Sequence, residues 1–397
     1  MDVSSNYTQL RASGHIAWST SAPSLRTFYP AQPRTYIVRS LDLSQSGCVA
    51  MLDAGIDRLM PSRFNLLPTF KPSNITLQTS PGKGLGLFSP NMVYPGEALF
   101  AEHPILVLPY AVDAGVPLRE AYDDMLSRLP AQTRQELLYF CQSTGAHEPT
   151  SAQHLISRIT PFAIPLSVPN RDSSDVEMHR GVFLKMSRCN HSCGPNAVWR
   201  WDPESFSLIL TAIRYINPGE EITIAYTNVS LPQHERRFNL RRSFGFRCAC
   251  EWCTLDHKSV LESDAARFFL STFWDSPSRP SFKAWCQESF YSSDTLILDH
   301  QRALRYIQRE GLETLSSALP STGIHMSDTI RHIDAISMCY AALEDIDKFA
   351  IWTRRAAEER EAFNVLGPDR KLVFSKWLSN PSCCPVWGAK KSTYLRG

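Results

Sequence analysis

The sequence predicts an α+β protein: small β-sheets interrupted by a helical insert, then a cysteine-rich segment, then an all-helical carboxyl-terminal domain. Three observations carry that expectation. Short runs with β-type composition and Gly/Pro punctuation occupy about 75–108 and 181–226, helical periodicity governs the stretch between them, and beyond Cys253 nearly every segment has amphipathic helical spacing. At 397 residues the chain is long enough for roughly two to three domains. Its 43% hydrophobic and 20% charged composition is that of a folded chain rather than a disordered one. With 41 basic and 39 acidic residues the net charge is only +2, so no global field draws it to nucleic acid.

Each element has its own local reason. Between Asp2 and Asp42 there is no acidic residue, while Arg11, Arg26, Arg34 and Arg39 stand among many Ser and Thr. That composition fits a disordered leader or a mitochondrial transit segment. No secretory apolar core and no run of about 18 apolar residues occurs, so an intracellular protein of cytoplasm or nucleus, without membrane contact, is expected. A helix is predicted through Cys48–Met60. Strands are predicted at Ile75–Thr79, Leu85–Ser89, Glu97–Ala101 and Ile105–Leu108. Leu118, Tyr122, Met125, Leu126 and Leu129 recur at helical spacing, as do Leu137, Leu138 and Cys141 after Pro130. Leu208–Ile213 and Glu221–Ala225 read as strands, and helices follow at about 260–273, 299–318, 327–343 and 346–364.

The chemistry is concentrated in four motifs. The eleven cysteines are odd in number and unevenly spaced, which suits a reducing compartment and one local metal site better than a disulfide framework. Cys248-Ala249-Cys250-Glu251-Trp252-Cys253 has the spacing C-x-C-x2-C. Three thiolates so close converge naturally on zinc at about 2.3 Å, and a closed structural site needs a fourth ligand. Asn190-His191-Ser192-Cys193-Gly194-Pro195-Asn196 offers one, with Cys193 the more economical donor than His191. A Cys/His nucleophile pair is a weaker reading of that motif, because residues two apart in a loop need not face each other and no orienting group for the histidine is evident.

The third motif, Ser80-Pro81-Gly82-Lys83-Gly84-Leu85-Gly86-Leu87-Phe88, alternates glycines that permit positive φ and close approach of backbone N–H groups to an anion. It is not a nucleotide P-loop, because the Gly-Lys-Ser/Thr ending is missing and a strand follows. The fourth, Asn217-Pro218-Gly219-Glu220-Glu221-Ile222-Thr223-Ile224-Ala225-Tyr226, is a turn and a strand ending on tyrosine.

In this order the four motifs resemble the SET-domain family of protein lysine methyltransferases, from about Ile75 to Cys253, and most of all its SET-and-MYND type and fungal relatives. The cysteines and histidines of a MYND zinc module are missing between Val112 and Asp175. The resemblance implies a SET-type β-fold with a post-SET zinc site. It divides the chain into a leader (1–70), a SET domain (71–230) with a helical insert at about 113–178, a post-SET zinc segment (231–256) and a helical carboxyl-terminal domain (257–397). It implies two cofactors, S-adenosyl-L-methionine and one structural Zn2+. Cys193, Cys248, Cys250 and Cys253 would hold the metal.

Lys83, Gly84 and Leu85 match the loop that receives the methionine end of the cofactor, and Asn190 and His191 match positions that contact its amino-acid and adenine parts. Tyr226 matches the catalytic tyrosine at the methyl-transfer point and also borders the cofactor. Phe244 stands where an aromatic lines the lysine channel and stacks near the cofactor; relatives often carry tyrosine there, and the missing hydroxyl bears on the degree of methylation. Thr160 stands where relatives often have a longer asparagine, which weakens one cofactor contact. The implied partner is a lysine-bearing segment of a protein. A catalytically inactive SET scaffold, or a SET fold acting on a small molecule, is the alternative. Finally, Arg236, Arg237, Arg241, Arg242 and Arg247 precede the four thiolates, whose zinc complex carries a charge of about −2. They are expected to balance that charge rather than to bind nucleic acid directly.

Overall fold

The computed structural model describes residues 7–11, 34–43, 47–70, 74–110, 112, 115–143, 162–167, 176–312, 328–362 and 368–390. Its strands and helices run in chain order β1 (Tyr7–Arg11), β2 (Thr35–Leu41), β3 (Cys48–Asp53), α1 (Ala54–Leu59), β4 (Thr76–Ser80), β5 (Gly84–Ser89), β6 (Ala98–Glu102), β7 (Leu106–Pro109), α2 (Leu118–Arg128) and α3 (Ala131–Ser143). They continue with β8 (Phe162–Ser167), β9 (Val176–Val182), β10 (Asn190–His191), β11 (Ala197–Asp202), β12 (Ser207–Ala212), β13 (Glu220–Ile224) and α4 (Gln233–Phe244). The remaining helices are α5 (His257–Ser271), α6 (Phe282–Gln287), α7 (Thr295–Glu310), α8 (Asp328–Ala342), α9 (Ile346–Ala362) and α10 (Pro368–Ser379). The chain forms two compact units: Met1–Phe88, Leu99–Asn190 and Trp199–Leu210 make the first, and Ser89–Ala98, His191–Val198 and Thr211–Gly397 the second. No helix among the described residues is long and apolar enough to cross a membrane.

The first unit is built on a six-stranded sheet in the order β1-β2-β3-β7-β9-β8. All neighbours are antiparallel except β3 and β7, which run parallel through Val49 and Ala50 against Leu106 and Val107. Tyr36 and Val38 of β2 and Val49 and Met51 of β3 are buried against Ala121, Tyr122 and Met125 of α2 and Leu137 and Phe140 of α3. Pro130 separates those two helices, as it disfavours helical backbone in the residue before it and suits a helix start after it. A β4–β5 hairpin pairs Thr76 with Phe88 through Ser80 with Gly84. A smaller sheet orders β11, β12 and β6.

Two expectations are corrected here. The helix predicted through Cys48–Met60 is a strand to Asp53, and only Ala54–Leu59 is helical. Cys48–Leu52 is buried at every position, and an unbroken apolar run of that length does not distinguish a central strand from a buried helix. Asp53 then starts α1 by accepting the Gly55 N–H at 2.8 Å, a standard N-cap. Residues assigned to a leader also contribute β1, β2, β3 and α1, with Arg39 of β2 ion-paired to Asp57 of α1 at 3.0 Å. The alternation of buried and less buried residues along Thr35–Leu41 was a readable strand signal. The insert likewise carries strands β8 and β9 beside its helices.

In the second unit, β13 is joined to the His191 segment by Ser192 N–H to the Ile224 carbonyl at 3.1 Å. Buried Asn196 clamps the same strand, donating to the Glu221 carbonyl at 2.8 Å and accepting the Thr223 N–H at 2.8 Å. The carboxyl-terminal helices bury Leu270, Phe273, Ala303 and Ile307 in one cluster and Trp285, Ile336, Cys339 and Phe349 in another. The helix predicted to reach residue 318 ends at Glu310, because Gly311 at φ 63° turns into the left-handed region and the Leu312 N–H bonds back to the Ile307 carbonyl at 2.9 Å. Lys390 closes the far end with its ammonium buried, donating to the carbonyls of Trp285 (2.7 Å) and Tyr291 (3.1 Å).

Within these helices His300 and His332 face each other, Nδ1 to Nδ1 at 2.9 Å, enclosed by Phe273 and Trp274. Burial, then the Arg279 charge, lowers the His300 pKa to about 4. Burial, His300, Arg331 and Arg279 lower that of His332 to about 2. Both are neutral in the fold, whereas an unfolded histidine titrates near 6.5, so the unfolded chain takes up protons first as pH falls. Stability is therefore fully present above pH about 6.5 and declines below it. His300 alone accounts for a loss on the order of 3 kcal/mol by pH about 4. Urea unfolding should show a slope of about 1.4 kcal/mol per pH unit for each titrating histidine, and His300→Gln should flatten it; an unchanged slope in that variant would show that the pair does not carry the effect.

Candidate active site and zinc centre

Four thiols converge in the second unit. Cys193 follows β10, Cys248 and Cys250 follow α4, and Cys253 ends the short 3-10 turn Glu251–Cys253. Their sulfurs all lie within 4.8 Å of one another, and Cys193 Sγ is 3.7 Å from Cys253 Sγ. A tetrahedron with zinc–sulfur bonds of about 2.3 Å has edges of about 3.8 Å, so the donor set fits zinc. Four cysteine ligands would complete the coordination of a zinc ion and leave no place for a substrate or water, as in closed structural sites. Hydrogen bonding to Cys248, Cys250 and Cys253 pushes the Cys193 thiol well above the ordinary range, while Cys193 in turn holds Cys250 well below it. Four sulfurs this close ionise together only around a cation.

The surroundings supply positive charge and rigidity. Arg236 of α4 is completely buried; burial opposes its charge, but Cys193 and Cys253 more than offset that and raise its pKa. Arg237 donates to the Cys253 carbonyl. Arg236 and Arg237 thus lie at the thiol site, whereas Arg241, Arg242 and Arg247 are exposed.

Sequence reasoning missed Arg267 of α5. It is fully buried, donates to the carbonyls of Cys193 (3.1 Å) and Val229 (2.5 Å), and is ion-paired with buried Glu310 at 3.2 Å. Burial, then the Arg236 charge, lowers its pKa to about 10. Trp252 was also missed. Its ring lies so close to Gly194 that a Cβ there would meet it at 2.3 Å, so no residue but glycine fits beside Cys193. The Trp252 indole N–H reaches the Arg309 carbonyl at 3.4 Å, tying the cysteine segment to the end of α7.

His191 connects this centre to the tyrosine. Its Nδ1 accepts the Tyr226 N–H at 3.0 Å, which places the ring hydrogen on Nε2, 3.3 Å from Cys193 Sγ. The histidine therefore donates to the Cys193 sulfur, and the cluster of potential metal ligands is Cys193, Cys248, Cys250 and Cys253 without it. The Tyr226 ring packs at 4.9 Å from Phe244, 5.5 Å from His191 and 6.4 Å from Phe246, between centroids. Phe246 went unread in the sequence, although Phe244-Gly245-Phe246 just before Cys248 is a visible pair of aromatics.

The first unit holds the other predicted residues. Asn190 Nδ2 donates to the Leu85 carbonyl at 3.1 Å, bringing the second and third motifs together. Gly82 and Gly84 have φ of 72° and 82°, with open space beside Gly82 and the Lys83 N–H bonded to the Ser80 carbonyl at 3.0 Å. Lys83 itself is exposed. The exposed, open turn leaves room for an anionic group at the residues the resemblance assigns to the cofactor. Glu102 of β6 accepts the N–H groups of Lys185 (2.8 Å) and Met186 (2.7 Å), fixing the turn that leads into Asn190. Burial pushes that carboxyl up to about 7, against the opposing pull of those two bonds. Thr160 lies outside the described residues.

Comparison with known proteins agrees with this geometry. Residues 84–227 match the SET domain family. Over 301 residues the chain is 24% identical to histone-lysine N-methyltransferase set5 of Schizosaccharomyces pombe, spanning 76% of this chain and 82% of that protein. It is 43% identical over 76 residues to protein-lysine N-trimethyltransferase SMYD5 of Danio rerio, 18% of either chain. It is 38% identical over 84 residues to histone-lysine N-methyltransferase SMYD3 of Mus musculus, 21% of this chain and 19% of that one. The glycine turn, the Asn-His-Ser-Cys loop and the tyrosine strand all lie inside or border the matched span, so residues 84–227 are similar to a SET domain and the chain is similar to Set5- and SMYD-type lysine methyltransferases.

Proposed function

We propose that this protein transfers a methyl group from S-adenosyl-L-methionine to a lysine side chain of a protein substrate, by in-line SN2 displacement. The observation that carries the reading is the aromatic cluster of Tyr226, Phe244 and Phe246, tied through His191 to a four-cysteine zinc site. When bound, S-adenosylmethionine supplies an electrophilic methyl group on a sulfonium.

The chain's residues meet the remaining requirements. A lysine amine attacks only when neutral, and at pH 7 with a pKa of about 10.4 the neutral form costs about 4.6 kcal/mol. Aromatic walls at Tyr226, Phe244 and Phe246 disfavour the ammonium by desolvation and so lower that cost. The Tyr226 hydroxyl aligns the amine, a positioning role that needs no strong general base. Both His191 ring nitrogens are engaged, by the Tyr226 N–H and Cys193, so its contact with the cofactor falls to its backbone. Asn190, Lys83, Gly84 and Leu85 take the methionine end of the cofactor. Zinc at Cys193, Cys248, Cys250 and Cys253 holds the Phe244–Phe246 segment to the loop of His191 and takes no part in the reaction.

Calorimetric titration of the full chain with S-adenosylmethionine separates this reading from an inactive scaffold. One site per chain is expected, weakened at least about tenfold by Asn190→Ala, which removes a hydrogen-bonding group worth about 1.5 kcal/mol. An absence of binding to the zinc-containing wild type would favour the scaffold.

A further inference from the structure

The three arginines that do not contact the thiol site stand within three residues of Phe244 in sequence. Arg241, Arg242 and Arg247 are exposed and take part in no ion pair among the described residues. Arg241 is three residues before Phe244 on α4, a spacing that makes the two side chains neighbours on the helix surface. Arg247 directly follows Phe246. Between the two aromatics, Gly245 sits at φ 76° with open space where a side chain would extend. Phe238, three residues before Arg241, is 63% exposed, which adds an apolar contact to the same helix. The acidic residues closest in sequence do not neutralise the patch: Glu235 lies near His234 at 3.9 Å, and Glu251 is paired with none of the three arginines. These three arginines stand apart from the thiol site, which Arg236 meets through Cys193 and Cys253 and Arg237 meets through the Cys253 carbonyl.

We infer that this face selects the substrate: the lysine to be methylated lies in a segment with aspartate or glutamate on its flanks, not in a uniformly basic tail. This rests on the methyltransferase reading above. The physical reason is charge complementarity at short range. Surface ion pairs are weak singly, but three unpaired arginines acting on one peptide amount to about tenfold, and like charges are disfavoured by a similar factor. The effect belongs to association, so it appears in KM and fades with salt, given a screening length of about 10 Å at 0.1 M.

The test uses two synthetic peptides with the same central lysine, one with aspartate and glutamate flanks and one with arginine and lysine flanks. Zinc-containing wild type should bind the acidic peptide in fluorescence anisotropy about tenfold or more tighter, and kcat/KM should favour it through KM. The triple variant Arg241→Glu, Arg242→Glu, Arg247→Glu, with zinc content checked, should reverse the preference. Equal binding of both peptides, or a preference unchanged in the variant, overturns the inference while leaving methyl transfer intact. Tighter salt-dependent binding of a DNA duplex than of the acidic peptide also overturns it, by assigning the patch to phosphates. Preferential binding of the acidic peptide by wild type, reversed in the variant but without methyl transfer to any lysine, would uphold the surface and sink the methyltransferase reading.

Discussion

Cys193→Ser is expected to release the zinc and destabilise the second unit by about 3–5 kcal/mol, with unfolding at lower urea concentration. A serine hydroxyl is neutral at pH 7 and cannot replace a thiolate in a tetrahedral set, so affinity for the metal collapses. The damage spreads because Cys193 also meets Arg236 and His191. Arg236, fully buried, loses the charge that offsets its burial, and the His191 Nε2 hydrogen loses its acceptor. With His191 loosened, the Tyr226 N–H bond at 3.0 Å goes with it. Metal analysis should fall from one zinc per chain to well below that. A full complement of zinc in the variant would refute the assignment of Cys193 as a ligand.

Arg267→Met is the second large effect. It removes a completely buried cation while leaving Glu310, 2% exposed, inside the protein. Breaking a buried pair in this way typically costs about 3–5 kcal/mol, because the surviving charge is left poorly compensated. Here Glu310 keeps Arg309 at 3.0 Å and Ser263 at 2.5 Å, which places the expectation at the lower end, about 3 kcal/mol. The Cys193 and Val229 carbonyls lose their donor at the same time. Adding Glu310→Gln should recover part of the loss, and the double-mutant cycle in urea unfolding measures the coupling. A purely additive cycle would mean that Arg267 acts through the carbonyls alone.

What the sequence made readable follows from how local each signal is. The C-x-C-x2-C run announces a metal site because chemistry constrains its spacing over a few residues, and Cys193 joined it through the loop motif it sits in. Strands β4 to β7, β12 and β13 were read to within a residue or two because turns of Gly and Pro bracket them. Arg267 and Glu310 were not readable: they lie on different helices, far apart in sequence, and look like ordinary charges on amphipathic surfaces. Trp252 likewise gains its meaning only beside Gly194 and Gly311, which folding brings to its ring. The role of His191 depended on knowing that both ring nitrogens are engaged, which a motif does not state. Cys48–Leu52 was misread because complete burial erases the period that separates strand from helix.

The most direct measurement of the central claim is mass spectrometry of lysines in protein substrates incubated with S-adenosylmethionine and zinc-containing protein. Wild type should add methyl groups to a defined lysine. Tyr226→Phe, which keeps the aromatic packing against Phe244 and loses only the hydroxyl, should reduce the rate by about a hundredfold, the low end of what positioning in the transition state contributes. Methyl-lysine formed at the same rate by wild type and Tyr226→Phe, or by neither, would contradict the assignment.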